Sequence, residues 1–520
     1  MSDYGRRHEL PRYLRDWQEK IEGQARASGL DFFPQVFEVL SFDEMNEVAA
    51  YGGLPTRYPH WRWGMEYERL KKSGEYGLSR IYEMVINNNP SVAYLLEGNS
   101  LVDQKLVMCH VCGHNDFFKN NFTFKITDQD RRPPGTAEDL VVSRKDRVPT
   151  RKWVDAFANH AARVRKHMDR HGVSAVEEFI DVCLALENLI DPPGRMLEGR
   201  SAAAAPEEPE TLEVPKLKAK SYMDAFINPE PYLAAQRKKL EEEAAKARRV
   251  PEKPQRDVLR FLIEHAPLER WERDVLWAIR AEAYYFWPQM QTKIMNEGWA
   301  SFWHSKLMTE KVCDDGEIIE YAERNAGVME TSSGRLNPYK LGVELYRSIE
   351  ERWNKGQYGK EWEDCDDLEA RRSWNRRTGQ GRGKLFEVRK LYTDVTFIDE
   401  FLTPEFAAEH RLYAFGWNAR SGRHEIETRT FREVKEKLLF QLTNAGQPFI
   451  RVEDANAKNR GVLALSHDHQ GVDLKLDWAR EVLRSLTRIW RRPVELRTRV
   501  GEKACVLGFD GNEHTQREGT

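Results

Sequence analysis

Apolar and polar positions alternate with two different periods along this chain. Up to about residue 370 the spacing is helical, and beyond Leu385 short β-like runs alternate with helices. Tyr13, Leu14, Trp17 and Ile21 mark a first helix, which Gly29 stops. Ser41 followed by Glu44 predicts a capping box for a second helix, closed by Gly52, Gly53, Leu54 and Pro55. An apolar run ending at Ile86 meets a turn at Asn87, Asn88, Asn89 and Pro90, and Val92 to Leu96 is a second short apolar piece. Ser100 with Asp103 then predicts the start of a helix whose Leu, Val and Met run leads into Cys109, His110, Val111, Cys112, Gly113 and His114. Further helices are expected over 152–170, 175–189, from Glu269 onward with a kink near Pro288, and from Asn337 to Trp353.

In the tail, β-like runs at 412–415, 449–452, 462–465 and 494–497 alternate with helical patterns at 431–444 and 476–490. A division follows from these changes of pattern. Residues 1–194 and 256–370 form one helical unit, interrupted by an insertion at 195–255 rich in Ala, Pro, Lys and Glu. A basic, glycine-rich connector at 371–384 leads to an α+β domain at 385–520, whose last ten residues are expected to be disordered. The connector reads as a solvated linker, because its GQGRG follows no strand.

Composition narrows the function classes. Lys plus Arg (81) nearly balances Asp plus Glu (84), which argues against a dedicated nucleic-acid binder. No apolar run is long enough to span a membrane and the N-terminus lacks an apolar signal region, so a cytoplasmic protein is expected. Six cysteines in 520 residues make no disulfide framework. Cys109 and Cys112 have no second pair at zinc-knuckle spacing, and small buried cysteines are the plainer reading.

The chemistry concentrates in two stretches. His110 and His114 lie four residues apart, so a helix presents both imidazoles on one face, a spacing suited to Zn²⁺ or another divalent transition metal. A third donor is available downstream in Glu297, beside Gly298 and Ala300, small residues that let another helix approach. His304 shares the Glu297 face and is either a fourth ligand or a nearby proton donor. Val111 stands where an HExxH helix carries its general base, so a base has to come from elsewhere: His304 first, then Glu282, then Asp116. Asp103 and Asn121 fall on the histidine stripe and are expected to orient the imidazoles. The competing readings are core histidines bonded to backbone carbonyls and a Glu297 paired with Arg280. Arg57, His60 and Arg62, in an aromatic-rich stretch, are either arginines stacked on rings or a pocket wall for an anionic or amide substrate, with Tyr339 as a further wall.

Several motifs together resemble the SpoVR family: GGLPTRYPHWRWGMEYE (52–68), IYEMVINNNPSVAYLLEGNS (81–100), HVCGHNDFFKNN (110–121), MNEGWASFWH (295–304), NPYKLG (337–342), DVTFIDEFLT (394–403) and RPVELRT (492–498). That resemblance covers nearly the whole chain. It implies a connection with spore-cortex peptidoglycan or, outside spore formers, with stress physiology, and partners that include a PrkA-type serine kinase and a von Willebrand factor A-like protein. The site alone resembles gluzincin peptidases with an EGWA motif, which implies His110, His114 and Glu297 as zinc ligands. The expected fold is thus mainly α, a large helical zincin-like metal-binding unit with a smaller C-terminal α+β domain. Two functions are carried forward: a metal-dependent amide hydrolase acting on cell-wall material, and a non-enzymatic assembly or regulatory factor with a structural metal.

Overall fold

The structure, a computed structural model, describes residues 10–75, 83–131, 148–201, 229, 233–234, 250–328, 337–418, 420–457 and 459–518. Most of the expected insertion at 195–255, the loop with Pro133, Pro134 and Gly135, and Ile81 lie outside these residues. The protein is mainly helical, with a sheet near its C-terminus. No described helix is long and apolar enough to cross a membrane. The chain forms two compact units: Met1–Glu177 with Tyr284–Gln447, and Glu178–Ala283 with Pro448–Thr520.

The first unit is built around the helix Leu101–Asn120, buried on every side from Val102 to Phe118 except at half-buried Leu106. Its start is fixed as the sequence predicts: Ser100 Oγ accepts from Asp103 N at 3.2 Å, and Asp103 Oδ2 from Ser100 N at 3.4 Å. Ser41 and Glu44 make the same reciprocal cap for Phe42–Ala50. A three-stranded sheet supports the long helix. Ser91–Leu96 is its central strand, parallel to Gln35–Leu40 and antiparallel to Glu83–Ile86. Phe37, Ala93 and Leu95 from this sheet share one core with Val107, Cys112, Phe117 and Trp299. The strand Gln35–Leu40 had no sequence signal, because Gln35 and Glu38 interrupt its apolar positions and burial does not alternate cleanly along it. Residues from Trp61 on, in the aromatic-rich stretch, form the helix Trp61–Glu75. The hairpin Ala414–Asn418/Arg423–Thr428 and the helix Phe431–Leu442 belong to this unit, and Phe431, Leu438, Leu439 and Leu442 pack on its core.

The second unit carries a five-stranded sheet, in the order His514–Glu518, Lys503–Phe509, Val494–Val500, Val462–Asp468, Phe449–Ala457. Val462–Asp468 and Val494–Val500 run parallel, joined across the helix Leu476–Trp490, which buries Ala479, Leu483, Leu486, Ile489 and Trp490. The chain end departs from the expected disorder, since His514–Glu518 pairs antiparallel with Cys505–Phe509. Its stability comes from backbone pairing and from a turn in which Asp510 Oδ1 accepts from Asn512 N and Glu513 N, at 2.7 and 2.8 Å. Neither leaves an apolar periodicity to read.

Candidate metal centre

Two backbone contacts set the distance between the helices of the site. A Cβ on Gly113 would stand 2.6 Å from Ala300 Cα, and one on Gly298 would stand 2.5 Å from Gly342 Cα. The helix Lys293–Leu307 is therefore clamped at van der Waals distance between Leu101–Asn120 and Pro338–Lys355. Glu297 sits inside that clamp, next to one contact and within one turn of the other. The N-terminus of its helix is held by a residue from far along the chain. Asp394 Oδ2 accepts from Ile294 N at 2.8 Å and Asp394 Oδ1 from Met295 N at 2.9 Å, a cap that no local motif announces.

The clamp brings His110, His114 and Glu297 together, with one donor atom of each within 4.8 Å of the others. Glu297 Oε2 lies 3.6 Å from His110 Nε2 and 3.4 Å from His114 Nε2. Both separations exceed the usual hydrogen-bond length of about 2.7–3.2 Å, and the buried Glu297 Oε2 makes no hydrogen bond of good geometry. Two ligands each about 2.0–2.1 Å from one tetrahedral ion stand roughly 3.3 Å apart, so this spacing and donor set fit a divalent ion of the zinc class. Burial pushes the Glu297 carboxyl up, and His110 and His114, when protonated, outweigh it and hold the group below the ordinary carboxylate range.

Each histidine meets a protein partner at its other nitrogen. His114 Nδ1 lies 2.9 Å from Asn296 Oδ1, and His110 Nδ1 lies 2.8 Å from His304 Nδ1. His304 Nε2 in turn lies 3.1 Å from Asn325 Oδ1, on the helix Ile318–Val328. Burial and the adjacent His110 bring the His304 imidazole down to about 3, so it is neutral near pH 7. The expected orienting residues do other work. Asp103 caps its helix and pairs with Arg324, while Asn121 Nδ2 donates to the carbonyls of Arg389 and Tyr392. Asn296 and Asn325 were missed. Asn296 adjoins Glu297 in sequence, the one local hint; Asn325 offers none.

The remaining candidates are dispersed. Asp116 lies on the side of its helix away from the histidine stripe. Its Oδ2 accepts from Trp299 Nε1 and from Arg389 Nη1, both at 2.8 Å, and its Oδ1 from Asp31 N at 2.7 Å. Burial raises this carboxyl to about 6, against the pull of Arg389. The geometry gives it a pinning role, tying the EGWA tryptophan to the histidine helix. Glu282 is buried on the helix Arg270–Gln291, in the part of the chain that belongs to the second unit. Arg57 is buried with its guanidinium over the rings of Tyr58, Trp63, Phe157 and Phe286, at 4.6 to 5.9 Å. His60 is buried among Tyr58, Trp61 and Trp63, and Arg62 is exposed. Of the four expected wall residues, Tyr339 stands beside the cluster, its ring stacked on His110 at 6.3 Å.

Two consequences are measurable. Arg389→Ala leaves the Asp116 carboxylate buried without its countercharge, which costs about 3–5 kcal/mol; a denaturation midpoint close to wild type would refute the pin. Asp394 is raised to about 7 by burial, against the two amide donors that favour its ionised form. Its folded pKa thus lies above the unfolded value near 3.8, so its contribution to stability is complete below about pH 4 and is lost as pH rises through about 7. Thermal unfolding of the wild type should show this decline between pH 5 and 7.5, and Asp394→Asn should remove it; a wild-type slope of opposite sign means that the amide donors outweigh burial.

Comparison with known proteins agrees with the motifs. A family model described as SpoVR like protein matches residues 8–447, and one described as SpoVR-like C-terminal domain matches residues 448–500. The seam between them coincides with the passage from the first unit at Gln447 to the second at Pro448. The chain is similar to a protein of Escherichia coli (strain K12) described as uncharacterized protein YcgB, 30% identical over 516 residues that span 91% of this chain and 89% of that one. No solved structure matches the chain.

Proposed function

The chain belongs to the SpoVR family, and on that premise we propose that its first unit is a zincin-like centre. In this reading it holds one divalent ion of the zinc class through His110, His114 and Glu297 and uses it to hydrolyse an amide bond. The convergence of two imidazole nitrogens and a buried carboxylate oxygen at 3.4–3.6 Å, longer than ordinary hydrogen bonds, carries the reading. Three protein donors leave a coordination position for water. The Glu297 side chain is 17% exposed and the histidines 3–5%, so the carboxylate is the least buried of the three donors. A bound ion of this class polarises a carbonyl and lowers the pKa of water. The chain's own part is to aim both imidazoles, keep His304 neutral behind His110, and offer the Tyr339 ring as a wall. The family resemblance favours a cell-wall peptide amide as substrate, met in the cytoplasm as a precursor.

One observation favours a second reading. Val111 is fully buried where the HExxH base would stand, both His304 nitrogens face other residues, and the Asp116 oxygens are taken by Trp299, Arg389 and Asp31. Among the described residues no other carboxylate joins the cluster. A metal site to which the described residues bring no base suits an assembly or regulatory factor that docks a PrkA-type kinase and a von Willebrand factor A-like protein. Zinc-loaded wild type and His114→Ala, incubated with a panel of peptide amides and followed by mass spectrometry, separate the two. New amine termini from the wild type alone support the hydrolase. No cleavage of any substrate, together with kinase capture that depends on His114, supports the assembly role.

A further inference from the structure

We infer that His304 and Asn325 are positioning residues for the metal centre, a hydrogen-bonded chain that locks His110 in the tautomer with its proton on Nδ1. The inference rests on the metal-binding reading above and says which side chains set the affinity of the site. Two imidazole nitrogens 2.8 Å apart share one proton, so of His110 Nδ1 and His304 Nδ1 one donates and the other accepts. Asn325 decides which. Its Oδ1, 3.1 Å from His304 Nε2, only accepts, so Nε2 carries the proton of the neutral His304 ring and Nδ1 is bare. His110 Nδ1–H therefore donates to His304, and the His110 lone pair is on Nε2, facing Glu297.

The same logic applies to His114, whose Nδ1–H donates to Asn296 Oδ1 at 2.9 Å and whose Nε2 lone pair also faces Glu297. Two lone pairs and a carboxylate oxygen confront one another, an arrangement that a cation relieves and a proton on either Nε2 would also relieve. With the Asn325 amide turned the other way, every donor in the chain reverses and His110 Nε2–H points at Glu297 instead. That arrangement sets a long N–H···O contact against the carboxylate and makes no call for a metal. Asn325, 25 residues beyond the EGWA motif and with no motif of its own, is thereby the residue that selects between metal centre and plain polar core.

Nitrogen NMR of histidine-labelled, metal-free full-length protein reads the tautomers directly. Wild type should show His110 and His114 protonated at Nδ1, and an Nε2–H signal for His110 overturns the inference whatever the metal content. Zinc competition against a chelator gives the second readout. His304→Phe and Asn325→Leu should weaken binding about 10- to 100-fold, while His304→Gln, which keeps an acceptor for His110 Nδ1–H, should recover most of it. The cobalt(II) absorption bands of all three should keep the wild-type positions, because the ligands are intact. Unchanged affinity in His304→Phe, or a changed cobalt(II) coordination spectrum that makes His304 a ligand, overturns the positioning role. A wild type that binds no metal yet shows Nδ1–H tautomers fails the metal reading alone and leaves the hydrogen-bonded chain standing.

Discussion

Purified without chelator, the wild-type chain is expected to carry about one zinc-class ion per molecule, and His110→Ala and His114→Ala are expected to carry almost none. Complete protein zinc sites bind with about 10–16 kcal/mol. Spread over three or four donors, that makes each worth roughly 3–4 kcal/mol, or about 10²- to 10³-fold in affinity. The loss should be this large because the three donors are held by the helix clamp, so no other side chain moves in to replace a missing one. Elemental analysis of the three proteins beside their circular dichroism is the check. Metal-free wild type that takes up no zinc on addition ends the metal reading, and so does a folded His114→Ala that binds zinc as tightly as wild type.

The second large effect is on folding. Gly113→Val and Gly298→Val should each destabilise the protein by about 3 kcal/mol or more, beyond the usual 1–3 kcal/mol of overpacking. Overpacking is ordinarily relieved by side chains that rotate away. Here the new Cβ would sit 2.6 Å from Ala300 Cα or 2.5 Å from Gly342 Cα, and a backbone atom cannot rotate away. The helices must separate, and Glu297 leaves the histidines as they do. Zinc binding should therefore fall with stability in both variants. Gly64 is the internal control. It is helical and exposed, and a Cβ there meets nothing within 4 Å, so Gly64→Ala should stabilise by about 0.5–1 kcal/mol with zinc binding unchanged. Chemical denaturation of the three variants tests the set, and equal midpoints for Gly113→Val and wild type would show that the clamp is not rigid.

Local rules told most about the first half of this chain. The reciprocal caps at Ser41/Glu44 and Ser100/Asp103, the helix between Ser100 and Asn121, and the shared face of His110 and His114 depend on residues three or four apart, which backbone geometry alone fixes. Glycine and alanine beside Glu297 likewise announced a close approach, though not which helices make it. Edge strands held by backbone pairing were silent, as His514–Glu518 shows, because main-chain hydrogen bonds leave no mark on side-chain pattern. The aromatic stretch around Arg57 was legible as two alternatives, and packing favours the stacked arginine, because Phe157 and Phe286 arrive from distant segments to complete its cage.

What the sequence determined by itself was the family and the identity of the three converging donors. The role of each polar neighbour was settled only in three dimensions. His304 meets His110 across 194 residues, Asn296 meets His114 across 182, and Asp394 caps a helix 100 residues before it. Asp116 had the chemistry of a base, and the structure engages its oxygens with Trp299, Arg389 and Asp31. The physical reason is the same in every case. A carboxylate or imidazole can serve as ligand, cap, ion-pair partner or proton carrier, and the choice depends on which donor or acceptor faces it once the helices have packed. Spacing along the chain specifies which side chains share a helix face, and only the clamp of Gly113 on Ala300 and Gly298 on Gly342 specifies what that face meets.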